Sequence, residues 1–250
     1  MLSDLANQDP SVRERALEQI ESAATAGGDE VARLFAQLTV IDPTEEMAVS
    51  YRALALSIVI RIDAAGPNVL HFDGDAHRGL APLLDWWASS GTHSGTTWQE
   101  DRGWLDSIGH GAELAGAIGQ HPTAARAVVV EFATTAARLA ATDRRFLASE
   151  GERLALAFAL LTARLPEVLD ELEPGDLWET TSPEHPAAPG WESNLNVHAF
   201  LRDLATIWQF GVSVPEAGID LPARDAASRE SGWLRRALAD TDTSGLWRLG

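Results

Sequence analysis

A chain of 250 residues that is 45% hydrophobic has material for a substantial buried core, and without a single cysteine it forms neither disulfides nor thiolate metal sites. Nineteen basic against 37 acidic residues leave a formal charge of −18, which repels nucleic-acid phosphates and anionic membranes. All of the basic residues are arginine, so lysine Schiff-base chemistry and a lysine-bearing phosphate loop are excluded.

In chain order the residues read as helix after helix. Asp9-Pro10-Ser11-Val12-Arg13 predicts the first clear start, with Asp as cap, Pro at the first helical position and Val12, Ala16 and Ile20 at helical spacing. A second helix is predicted over Glu30 to Gln37. Asp42-Pro43-Thr44-Glu45 repeats the capping device, with Glu45 placed to complete a capping box, and opens a long helix to about Ala64. Further helices are predicted near 76–89, 103–119, 123–141 (started by His121-Pro122-Thr123), 148–164, 193–210 and 226–239. No strand alternation or hairpin turn is evident. Segments 53–62, 124–140 and 154–163 are apolar on most sides and belong at the centre.

Residues 166–192 hold five of the twelve prolines and read as a long surface connection with one short helix near Glu167 to Glu171. No apolar run reaches the roughly 18 residues of a membrane-spanning helix. Met1-Leu2-Ser3-Asp4 lacks the basic-then-apolar order of a signal peptide, which points to the cytoplasm. The opening segment Leu5 to Ala16 resembles the Asp-Pro-x-Val-Arg-x-x-Ala signature of HEAT repeats. The expected fold is therefore all-α, a HEAT-like α-solenoid or an irregular antiparallel helical array, in one domain over 1–250.

Chemistry concentrates in Gly103-Trp104-Leu105-Asp106-Ser107-Ile108-Gly109-His110-Gly111-Ala112-Glu113. Read as one helix, it places Asp106, His110 and Glu113 within about 60° of each other on the face opposite Trp104, Leu105, Ile108 and Ala112. Two readings follow. One is an amphipathic helix with a wet polar face; the other is a divalent metal held by an imidazole between two carboxylates. Glycines on both sides of His110 cost helix stability, about 1 kcal/mol each, and suit a site where a backbone or ligand approaches closely. His71-Phe72-Asp73-Gly74-Asp75-Ala76-His77 is a weaker metal loop, in which Asp75 is expected to cap the next helix. Nine tryptophans, with Trp86, Trp87, Trp98 and Trp104 close to the central motif, wedge between helices or line a groove.

At this motif the chain resembles a bacterial family known as domain of unknown function 2785, whose members carry Gly-Trp-x-His-x-x-x-His-x-x-Asp after Arg-Gly. Here the segment runs from Arg102 to Glu113, with Asp106 at the family's first His and Glu113 at its Asp. Tyr51-Arg52-Ala53-Leu54-Ala55-Leu56, Glu150-Gly151-Glu152-Arg153-Leu154-Ala155 and Asn196-Val197-His198-Ala199-Phe200-Leu201-Arg202-Asp203-Leu204 match other family segments in order and spacing. The resemblance implies an all-α, HEAT-like fold and brings no function. The two replacements would turn any metal site toward oxygen ligation and away from zinc.

The sequence thus points to a binding or interaction module for a protein, peptide or small molecule, not for nucleic acid or membrane. Its expected groove contains Trp104 and His110, with Arg52, Arg102 and Arg202 near an anionic ligand group. The competing class is a metal-dependent hydrolase using Asp106, His110 and Glu113, in which the metal acidifies a bound water and a free carboxylate takes its proton. A third reading is a purely structural helix.

Overall fold

The structure is a computed structural model and describes residues 1–66, 68–93, 96–100, 103–147, 149–178 and 190–241. Asp9 accepts the Ser11 N–H at 2.8 Å and Pro10 opens α1 (Pro10–Thr25), so the first predicted start is observed as read. A short 3-10 turn (Leu2–Ala6) precedes it, burying Leu5. Helix α2 (Gly28–Leu38) turns Val31, Leu34, Phe35 and Leu38 inward. Asp42 does not cap a helix. Its carboxylate closes a turn on the N–H and hydroxyl of Thr44, and α3 (Glu46–Ala65) begins after it.

Helices α4 (Gly74–His93), α5 (Ser107–Gln120), α6 (Arg126–Leu139) and α7 (Glu150–Arg164) follow, then a 3-10 turn at Pro166–Asp170, the short α8 (Pro174–Leu177), α9 (Trp191–Phe210) and α10 (Arg229–Thr241). Two small hairpins, β1 (Thr96–Gln99) with β2 (Gly103–Asp106) and β3 (Val212–Val214) with β4 (Ile219–Leu221), correct the expectation of no strands. The chain is an all-α helical array nonetheless. Helices α3, α5, α7, α9 and α10 neighbour one another in succession, α1 and α2 lie on α3, and α4 and α6 pack along the second side. As expected, 53–62, 124–140 and 154–163 supply much of the core through α3, α6 and α7.

The stretch from 166 is less of a surface connection than its prolines suggest. Val168, Leu169, Leu172 and Trp178 are buried, and the Trp178 indole N–H donates to the Ala137 carbonyl at 2.8 Å. The short helical turn near Glu167 is present; residues 179–189 lie outside the described residues. Helix α10 packs on α8 and α9 and buries Trp233 completely. Among the described residues no helix is long and apolar enough to cross a membrane.

A buried clamp fixes the corner between α3 and α4. Asp63 accepts the N–H groups of Val69 and Leu70, each at 2.9 Å, and its Oδ2 meets His121 Nε2 at 2.9 Å. Both side chains are fully buried, and burial lowers the His121 pKa against the pull of Asp63. Thr123 donates its hydroxyl to the Leu70 carbonyl at 2.7 Å, which ties the turn after α5 to the same corner. His121-Pro122-Thr123 is therefore a buried tie before α6, not the helix start read from the sequence. Asp63→Ala strands three donors at once and is expected to cost about 3–5 kcal/mol. Urea denaturation monitored by circular dichroism measures this; a change below about 1 kcal/mol would remove the clamp from the account.

Candidate functional site

Gly103 to Asp106 is a strand rather than the first turn of a helix. It pairs antiparallel with β1 in a register that sets Trp98 opposite Trp104. Gly103 sits at φ +78, a left-handed conformation that favours glycine. The two indoles meet edge to face with centroids 5.5 Å apart, and they remain 61% and 51% exposed. Trp86 and Trp87 are buried instead, and the Trp87 indole N–H donates to the Ile108 carbonyl at 3.1 Å. Of the two roles open to these tryptophans in the sequence, Trp86 and Trp87 take the place between helices, while Trp98 and Trp104 stand at the surface.

Where the strand ends the helix begins. Asp106 caps α5 by accepting the Gly109 N–H at 2.9 Å, and its second carboxylate oxygen accepts from Arg153 of α7 at 2.6 Å. A Cβ at Gly109 would overlap this pair, and one at Gly111 would overlap the Trp87 indole. Those overlaps explain the two glycines beside His110: protein groups, not a ligand, fill the space they leave.

His110 lies in a buried polar layer between α3 and α5. Its Nδ1 is 2.8 Å from the Ser50 hydroxyl, and its ring meets the edge of Tyr51 with centroids 5.0 Å apart. The Arg13 guanidinium lies 4.6 Å from the Tyr51 ring centroid on the far side and donates to the carbonyls of Asn7 and Gln8. Burial drives the His110 pKa down to about 4; Asp106 and Glu113 pull it upward and Arg153 pushes it further down. His110 is neutral at pH 7. Glu113 pairs with Arg61 of α3, and the Ser107 hydroxyl reaches Glu46 at 3.4 Å.

The face read as wet is buried at His110 and half-buried at Asp106 and Glu113, in a helix otherwise buried from Ser107 to Gly119. Asp106, His110 and Glu113 do share the electrostatic neighbourhood of the imidazole, yet each carboxylate already holds an arginine. Among the described residues no group of three or more His, Asp or Glu is placed to hold a metal ion. Trp104 stands on the hairpin, while Arg52 donates to the Gln37 carbonyl at 2.9 Å and Arg202 pairs with Asp203 on α9. Arg102 lies outside the described residues. In the 71–77 segment Phe72 is buried, His77 pairs with Glu131, and Asp75 pairs with Arg78 instead of capping α4.

Sequence reasoning missed Ser50, Tyr51, Arg13, Arg61 and Arg153. Tyr51 and Arg153 lie in the segments 51–56 and 150–155 that match the family in order and spacing, and Tyr51 is the only tyrosine in the chain, which were the signals available. A family model with the description Protein of unknown function (DUF2785) matches residues 34–205. No curated protein and no solved structure matches the chain.

The folded His110 pKa of about 4 lies below its unfolded value near 6.5, so the unfolded chain binds more protons between those two values. Stability from this group is fully present above about pH 6.5 and is lost as pH falls toward 4, by up to about 3 kcal/mol. Unfolding free energies of the wild type and His110→Gln, measured from pH 7 to pH 4, are expected to converge on acidification. Parallel profiles would show that His110 does not titrate this way.

Proposed function

The chain belongs to the DUF2785 family of proteins of unknown function, and on that premise we propose that it is a binding module whose recognition surface is the Trp98–Trp104 hairpin. The observation that carries this reading is the exposure of two large rings side by side on a short, tethered hairpin. Indoles combine a large apolar contact area with few rotatable bonds, which makes them efficient anchors at interfaces. The hairpin is well supported. The Asp106 cap and its Arg153 pair hold the base of β2, and the side chains of Pro10 and Arg13 lie beside Gly103. His110, neutral and buried beneath, serves in this reading as a support and not as an acid or base.

The partner class follows from charge. A net charge of −18 attracts cationic partners, and the faces of the two indoles stabilise guanidinium or ammonium groups. We take the ligand to be a basic peptide segment, met in the bacterial cytoplasm by a chain acting as one domain. Pairing of Asp106 and Glu113 with arginines favours binding over the metal-dependent hydrolase.

Isothermal titration calorimetry with a hexa-arginine peptide tests the proposal, with hexa-glutamate as the control. Each ring contributes on the order of 1 kcal/mol, so Trp98→Ala/Trp104→Ala is expected to weaken hexa-arginine binding at least about tenfold. Its thermal unfolding should stay within a few degrees of wild type, since both rings are largely exposed. Absence of heat with hexa-arginine, or equal affinity in the double variant, would sink the hairpin as the recognition surface.

A further inference from the structure

A cavity of about 380 Å³ opens between the start of α7 and the start of α9, and none of the hairpin residues lines it. Two segments singled out in the sequence, 150–155 and 196–204, form facing walls: Gly151 packs toward Ala199 and Asp203. Asn196 spends its whole amide on the intervening loop. Its oxygen accepts the Phe146 N–H at 3.2 Å, and its NH₂ donates to the carbonyls of Thr142 at 3.0 Å and Arg144 at 2.6 Å. The loop that brings Arg145 to the cavity is thereby held before any ligand arrives.

The charges around this cavity are not balanced among themselves. Arg202 is answered by Asp203 at 3.0 Å. Arg145, Glu152 and Glu192 also line the cavity, and none of them forms an ion pair among the described residues. Glu192 is the telling member. Half-buried, it lines the cavity without an ion-pair partner among the described residues, and since its Oε2 is shut off from solvent only the rest of the carboxylate is open to a ligand.

We propose that this cavity binds a small zwitterion, an α-amino acid or a dipeptide, with its carboxylate on Arg145 and its ammonium on Glu192 and Glu152. A purely anionic ligand would face two uncompensated carboxylates, and a purely cationic one would face the Arg145 guanidinium. The volume lies at the small end of the roughly 300–1,000 Å³ range of ligand sites, which suits a ligand of this size.

The full chain is screened by thermal shift and calorimetry against the standard amino acids and a set of Xaa-Ala dipeptides at millimolar concentration. The best binder is then compared with its N-acetylated and C-amidated forms. At least one free zwitterion should raise the melting temperature, and either cap should weaken binding by at least about tenfold, as expected for loss of a charge-assisted contact. Glu192→Gln should reduce the penalty of acetylation, with Glu152 keeping the remainder, and Arg145→Gln should abolish the penalty of amidation. No shift with any zwitterion, or capped and free forms binding equally, would overturn the assignment. So would a Glu192→Gln variant that retains the full acetylation penalty.

Discussion

A helix buried on all sides has no solvent to satisfy its polar side chains, so each one must find its partner on another helix. Helix α5 is under that constraint along almost its whole length. Asp106 reaches Arg153 on α7, His110 reaches Ser50 on α3, Glu113 reaches Arg61 on α3, and Ser107 reaches Glu46 at the start of α3. These contacts join α5 to the two helices it packs against most extensively. Apolar packing supplies the bulk of the attraction, but it is non-directional and tolerates sliding. The polar partners add the register, since a slip of one residue would leave several buried groups unpaired at once.

The same constraint reaches the surface. Hairpin β1–β2 has only two short strands, and such a ribbon is marginal on its own. It persists here because β2 ends on Asp106, the residue that caps α5 and holds Arg153. The position of the exposed tryptophans is therefore set by a half-buried ion pair at the last residue of the strand. Tyr51 and Arg13 extend that support to α3 and α1, so four helices stand behind a ribbon of eight residues.

The parts of the fold legible in the sequence were those written locally. Asp9-Pro10 carries its own capping chemistry, and the apolar runs of α3, α6 and α7 need burial whatever surrounds them. Strand β2 was not legible, because Gly-Trp-Leu-Asp continues smoothly into a helical pattern and its pairing is decided by a strand elsewhere. Wheel geometry set Asp106, His110 and Glu113 on one helix face, whereas Asp106 ends the strand and caps the helix, and it could not show that Arg153 and Arg61 would arrive from other helices to pair the two carboxylates. Residues 166–178 were disguised the other way, their prolines and acids masking Val168, Leu169, Leu172 and Trp178 as loop. The cavity behind Arg145 is wholly a product of tertiary convergence, since its two main segments lie more than forty residues apart.

Five of the nine tryptophans form two sets in distinct surroundings. Trp98 and Trp104 are steeply inclined at 68° and exposed, while Trp178, Trp208 and Trp233 make a dry cluster with Trp233 meeting its neighbours at 75° and 84°. Indoles this close and this far from parallel couple their excited states, and each set imprints a split band on the circular dichroism spectrum. An aqueous quencher reaches only the first set. The molecule therefore carries two built-in reporters, one for the pairing of its surface ribbon and one for the docking of α9 and α10.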